Sequence, residues 1–186
     1  MLPSDLQLRT AVRALAEGGM IACPTEAVWG LSCDPDNPDA VARLLHLKQR
    51  PVEKGLILVA AGMEQIAGLL EGLTEAQRSK LALSWPGPST WLVPHHDRVP
   101  PWIHGGHSKV AVRVSAHKIV AALCRAWGGP LVSTSANPAG SRPATAQFQV
   151  QRYFRGQLDA VLPGALGGAS RPTVIRDLLT DQVLRS

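Results

Sequence analysis

Three short stretches of the chain concentrate side chains able to hold an anion. Lys48-Gln49-Arg50-Pro51, with Lys54 close behind, sets an ammonium and a guanidinium two residues apart. Ser133-Thr134-Ser135-Ala136-Asn137 is a run of hydroxyls and an amide interrupted by one methyl group, and Pro24-Thr25-Glu26 precedes Trp29-Gly30. A planar guanidinium forks onto phosphate or carboxylate oxygens, and an ammonium adds a compact point charge. Hydroxyls and amides can supply further neutral donors, although the same residue types also make turns by bonding their own backbone. Arg113 lies within Val110-Ala111-Val112-Arg113-Val114, on the opposite side of an alternating strand from the three valines. If that side is covered, Arg113 must meet an anion. No GxxxxGK[ST] and no GxGxxG between strand and helix is present, so a phosphate site here is of another kind.

Lys48 is the most informative of these residues. Asn37, Pro38 and Asp39 supply a cap, a first-turn proline and an early acid, and the helix they open must stop near Arg50 because Pro51 follows. Val41, Leu44 and Leu45 form its apolar face, and position 48, seven residues after Val41, falls on that face. A lysine capping the carboxyl end gains only about 0.3–1 kcal/mol from the helix dipole and would point to solvent. An inward lysine needs a partner to offset desolvation, which favours an anion-binding role.

The remaining pattern shows what positions these residues. Ser4 with Gln7 reads as a capping box for a helix carrying Leu8, Ala11, Val12 and Leu15 and ended by Gly18-Gly19. Met20–Cys23 reads as a buried strand, and 24–37 as a loop. Further strands are expected at 55–60, 90–93, 110–114, 131–132, 159–162, 173–176 and 182–185, with helices at 63–71, 74–83, 116–127 and 144–155. This alternation implies an α/β fold, a twisted open mixed sheet with helices on its faces, forming one domain over residues 1–186. The clusters fall near strand ends, where open sheets hold ligands. The Pro/Gly-rich stretch 94–107 is the expected lid.

Composition narrows the function classes. The chain has 186 residues, 45% apolar and 18% charged, so it can bury a core and is not disordered. No apolar run approaches the roughly 18–20 residues of a membrane span, and MLPSDLQLRT lacks the basic-then-apolar order of a signal peptide. A soluble, cytoplasmic protein with no membrane contact is expected. Cys23, Cys33 and Cys124 are odd in number and contain no CxxC pair, which suits a reducing compartment and a packing role. His95, His96, His104 and His107 share one loop without ligand-like spacing, so no metal site is expected from them. The net charge of +5 is uneven: residues 1–97 carry eight Lys/Arg against eleven Asp/Glu, and residues 98–186 carry eleven against three. The second half should hold an anion. An aromatic content of 4% argues against base-stacking platforms.

Taken in order, PTEAVWGL, KQRPVEKGLILVA, WPGPST, VAVRVS, PLVSTSAN-PAG and PTVIRDLLT resemble the YrdC-like family of threonylcarbamoyl-AMP synthases, most of all its short bacterial form. The resemblance covers about residues 8–185. It implies a YrdC-like sheet around a concave basic cleft. It also implies condensation of L-threonine, bicarbonate and ATP, with Mg2+ accompanying ATP, to threonylcarbamoyl-AMP and pyrophosphate. A downstream threonylcarbamoyl transferase complex would use the product on the tRNA adenosine beside the anticodon, and contact with tRNA itself is a further expectation. By motif position, Thr25, Arg113, Ser133 and Thr173 are expected at threonine. Lys48, Arg50, Ser135, Asn137 and Arg185 are expected at the nucleotide, with Lys48 and Arg50 as the catalytic cations. Many members carry PST where this chain has Arg171-Pro172-Thr173, so Thr173 supplies that hydroxyl. The rival readings are a non-catalytic RNA-binding module on the basic stretch 98–155 and a carbamoyl-transfer domain.

Overall fold

The helices form where caps and apolar stripes coincide. In the computed structural model, which describes residues 2–171 and 173–185, α1 (Asp5–Ala16) opens on the Ser4/Gln7 capping box and buries Ala11, Ala14 and Leu15. The next helix, α2 (Pro38–Lys48), is capped by Asn37, whose side chain accepts from the Ala40 N–H at 3.0 Å. Gln49 ends it in the left-handed conformation. Farther along come α3 (Ala67–Leu70), α4 (Glu75–Ser84), α5 (Pro101–His104), α6 (Lys118–Trp127) and α7 (Gln147–Phe154).

The strands are β1 (Ile21–Pro24), β2 (Trp29–Ser32), β3 (Ile57–Ala60), β4 (Ser89–Pro94), β5 (Lys109–Val114), β6 (Leu131–Ser135), β7 (Ala160–Val161), β8 (Val174–Asp177) and β9 (Val183–Arg185). They form one nine-stranded mixed sheet in the order β7-β1-β2-β6-β3-β5-β4-β8-β9. Side chains alternate across it. Leu58, Ala60, Val110, Val112, Val114 and Val132 join the core that includes Leu44 and Trp29. Val59 and Leu131 join the opposite core, with Leu15 of α1 and Leu123 of α6. Arg113 pairs in register with Val59, so it lies on the α1/α6 side, as the valine alternation requires.

Several elements differ from the sequence reading. Residues 29–32, read as loop, are strand β2: both its faces are covered, so WGLS shows no alternation to detect. The helix expected at 63–71 is a 3-10 turn, Met63–Ile66, followed by the four-residue α3, which contains the poor helix former Gly68. Strand β6 runs on through the hydroxyl segment, with Ser133 opposite Ile57, Thr134 opposite Leu31 and Ser135 opposite Gly30. The ladder occupies the backbone there, so these hydroxyls are not consumed in a self-bonded turn.

Leu44 is fully buried where α2 meets the larger core. Its replacement by alanine should lower unfolding free energy by about 2–5 kcal/mol. Urea denaturation reads this as a lower midpoint at unchanged slope.

Candidate functional site

A cavity of about 220 Å³ opens between the β1/β2 hairpin, the start of β3, and strands β5, β6 and β9. Its lining holds Thr25 and Glu26 from the hairpin, Arg50 after α2, Arg113 of β5, Ser133 and Ser135 of β6, and Thr173 and Arg185 from the C-terminal strands. Residues from distant parts of the chain thus share one space because β6 inserts between β2 and β3.

Backbone carbonyls and one carboxylate fix the guanidinium groups. Arg113 Nη1 donates to Glu26 Oε2 at 2.8 Å, and Ser115 Oγ donates to Glu26 Oε1 at 2.6 Å. Arg113 Nη2 lies 3.5 Å from Ser133 Oγ, and its buried Nε has no partner among the described residues. Arg50 Nη2 donates to the carbonyls of Gly55 at 2.8 Å and Lys54 at 3.2 Å. Arg185 Nη2 and Nε donate to the Thr173 carbonyl at 2.9 and 3.3 Å, while Thr173 Oγ1 is 2.9 Å from Thr90 Oγ1. Burial lowers the Arg50 pKa, and burial followed by the charges of Arg113 and Arg50 lowers that of Arg185. Both remain cations at neutral pH. Among the described residues, three cations against the single carboxylate of Glu26 leave a net positive lining suited to a polyanion.

Lys48 is buried, as the helix periodicity requires, but it stands behind the cavity wall. Its ammonium donates to the Ser135 carbonyl and, at 2.8 Å, to the Asn137 carbonyl. These oxygens are the partners that offset its desolvation. Burial, with the nearby Arg50 charge second, pushes its pKa down to about 8. Asn137 also sits behind the wall, its Nδ2 donating to the carbonyls of Ser141 at 2.8 Å and Pro138 at 3.1 Å. The structure therefore gathers Thr25, Arg50, Arg113, Ser133, Ser135, Thr173 and Arg185 around one cavity, with Lys48 and Asn137 bracing the β6 end beside it.

Two neighbours of the cavity residues escaped the sequence assignment. Glu26 stood in the Pro24-Thr25-Glu26 cluster without a role, and Ser115 was unassigned. The signal lay in Arg113: its covered side needed an anion, and Ser115 is two residues along the same strand direction, on the same side.

Stretch 94–107 does not cover the cavity. Pro100-Pro101 start α5, Gly105 ends it at φ 63°, and the turn docks on Val52–Lys54. The Leu56 N–H donates to the Ile103 carbonyl at 2.8 Å, and Trp102 Nε1 to the Pro35 carbonyl at 2.9 Å. The segment lying over the hairpin is instead 163–171: the Gly167 and Ala169 N–H groups donate to the Thr25 and Glu26 carbonyls at 3.0 and 2.9 Å. A Cβ on Gly167 would stand 3.0 Å from Glu26 Cα, so a larger residue there would have to push the segment away from the hairpin. Pro172, next to this segment, lies outside the described residues.

Among the described residues no group of three His, Cys, Asp or Glu side chains is placed to bind a metal. His95 and His104 instead stack at 4.1 Å. Burial pushes the thiols of Cys23, Cys33 and Cys124 up to about 12, so they stay protonated and unreactive. No helix among the described residues is long and apolar enough to cross a membrane.

The sequence pattern of the Sua5/YciO/YrdC family, described as "Telomere recombination", matches residues 13–186. The chain is 57% identical over 182 residues to the threonylcarbamoyl-AMP synthase of Pseudomonas aeruginosa, covering 98% of both proteins. It is 56% identical to that of Saccharophagus degradans, covering 97% of this chain and 94% of the relative. Among solved structures, the P. abyssi Sua5 complex with L-threonine superposes with a TM-score of 0.89 at 29% identity, over 98% of this chain. The chain spans 56% of that longer protein. Near full-length coverage at this identity, on this fold, means that the chain belongs to the Sua5/YciO/YrdC family.

Proposed function

We propose that the chain is a threonylcarbamoyl-AMP synthase that condenses L-threonine, bicarbonate and ATP and releases pyrophosphate. One observation carries this reading: three arginines and the hydroxyl residues Thr25, Ser133, Ser135 and Thr173 line a single cavity in a chain 57% identical to enzymes of that name. The threonine ammonium first gives up a proton to solvent, and the free amine attacks carbon dioxide derived from bicarbonate, giving a carbamate while its second proton leaves as water with the hydroxide from bicarbonate. A carbamate oxygen then attacks the α-phosphorus of ATP in line, and pyrophosphate leaves. Such transfer asks the protein for alignment and charge neutralisation more than for covalent work. Thr25, Arg113, Ser133 and Thr173 take threonine in this assignment, Arg113 binding its carboxylate. Arg50, Arg185, Ser135, Lys48 and Asn137 take the nucleotide, the last two from behind β6.

Mg2+ enters with ATP as part of the substrate. Among the described residues Glu26 is the only carboxylate lining the cavity and both its oxygens are engaged, so a divalent cation has phosphate oxygens to bind and no ready site on those residues. The product passes to a downstream threonylcarbamoyl transferase complex for tRNA modification, and three free thiols suit a cytoplasmic setting.

Purified protein is expected to release pyrophosphate from ATP only when threonine and bicarbonate are both supplied, measured by a coupled phosphate assay. Release independent of threonine overturns the reading. Stimulation by carbamoyl phosphate favours the carbamoyl-transfer alternative, and salt-sensitive nucleic-acid binding without ATP turnover favours the RNA-binding one.

A further inference from the structure

We propose that Glu26 is the receptor for the α-ammonium of the amino-acid substrate, forming with Arg113 a matched pair for both ends of the zwitterion. The inference rests on the reading above and adds a residue to it. A free amino acid brings a carboxylate and an ammonium separated by one carbon. In a cavity whose other charged lining groups are Arg50, Arg113 and Arg185, the ammonium is repelled from most directions. Among the described residues Glu26 is the one lining group of opposite sign, and it is the residue next to Thr25.

The existing bonds leave room for the substrate. Each carboxylate oxygen has two acceptor positions, and each oxygen of Glu26 uses one, Oε2 with Arg113 and Oε1 with Ser115. Arg113 gives Nη1 to Glu26, while the opposite edge, Nε with Nη2, has only the 3.5 Å contact to Ser133 Oγ. Nε is sealed from the cavity, so Nη2, with Ser133 Oγ beside it, is the donor a substrate carboxylate takes. The ion pair is under a tenth exposed at both residues, and Ser115 and the covering segment at Gly167 hold Glu26 in place. A fixed carboxylate and a fixed guanidinium side by side therefore read both charges of one small molecule.

The test compares L-threonine with 2,3-dihydroxybutanoate of matching configuration, which keeps the carboxylate and side chain but carries a hydroxyl in place of the ammonium. Binding is followed by calorimetry on the full chain, with circular dichroism confirming folding of each variant. Wild type should prefer threonine by at least about tenfold, the scale of one charge-assisted hydrogen bond. Glu26→Gln should bring the two ligands within about threefold of each other, by lowering threonine affinity and not that of the analogue. Glu26→Asp, which keeps the charge but withdraws it by one methylene, should fall between. A purely structural Glu26 would weaken both ligands equally in the Gln variant, and that result overturns the proposal. So does wild type that binds the analogue as tightly as threonine, whether or not the Gln variant folds. Wild type that binds no threonine, with or without ATP, counts instead against the reading of the whole site.

Discussion

Arg113→Ala is expected to raise the KM for L-threonine about a hundredfold, equivalent to roughly 2.7 kcal/mol, the loss of a charge-assisted hydrogen bond onto a carboxylate. The same change leaves Glu26 buried without its 2.8 Å partner. Stranding one member of a buried pair costs about 3–5 kcal/mol of stability, so the single variant should also melt early. The two effects separate in the double variant Arg113→Ala/Glu26→Gln. With the orphaned charge removed, stability returns towards wild type in urea denaturation, while in steady-state kinetics threonine binds more weakly than it does to Glu26→Gln alone, the difference being the share that belongs to Arg113. Arg113→Lys gives a second control, keeping one charge but losing the planar edge, and its KM should stay well above wild type. A single variant that is unstable yet saturates at wild-type threonine concentrations would make Arg113 a structural residue only.

The parts of the fold legible in the sequence were those with a repeating physical signature. The capping box at Ser4/Gln7, the Asn37-Pro38 helix start and the alternation of Val110, Val112 and Val114 each depend on local spacing, and each stands in the structure. Strand β2 was hidden because burial on both faces erases alternation. The docking of the expected lid was hidden for a different reason. Proline and glycine in 94–107 signal an irregular path but not where it docks, and Pro100-Pro101 with Gly105 make a tight turn that fastens onto Val52–Gly55. The site was partly legible: the inward direction of Lys48 followed from its helix, and the need of Arg113 for an anion followed from its strand. That the anion is Glu26, 87 residues away, depends on how the β1/β2 hairpin meets β5 across the sheet, which no local pattern encodes.

Lys48→Ala is expected to reduce pyrophosphate release at least about tenfold, or 1.4 kcal/mol, because it removes the brace behind Ser135 and Asn137 together with a cation near Arg50. It also strands two carbonyls whose loss of a donor costs about 1–3 kcal/mol each, so Lys48→Met, closer in volume, is the companion variant. The pH dependence distinguishes the two roles open to this lysine. Its folded pKa of about 8 lies below the ordinary 10.5, so the protonated ammonium opposes folding. That penalty, roughly 3 kcal/mol, is fully present below about pH 8 and fades as pH rises towards 10.5, where the unfolded chain also loses the proton. Wild type should therefore gain stability relative to Lys48→Met between pH 8 and 10. If Lys48 acts only as a brace, its neutral amine still has two N–H groups for the two carbonyls, and the KM for ATP stays flat across this range. If it also faces the phosphates, ATP favours the protonated form, and the KM for ATP must rise above about pH 8 in wild type relative to Lys48→Met. A flat difference between the two proteins would leave the phosphates to Arg50 and Arg185, the two cations that line the cavity without holding Glu26.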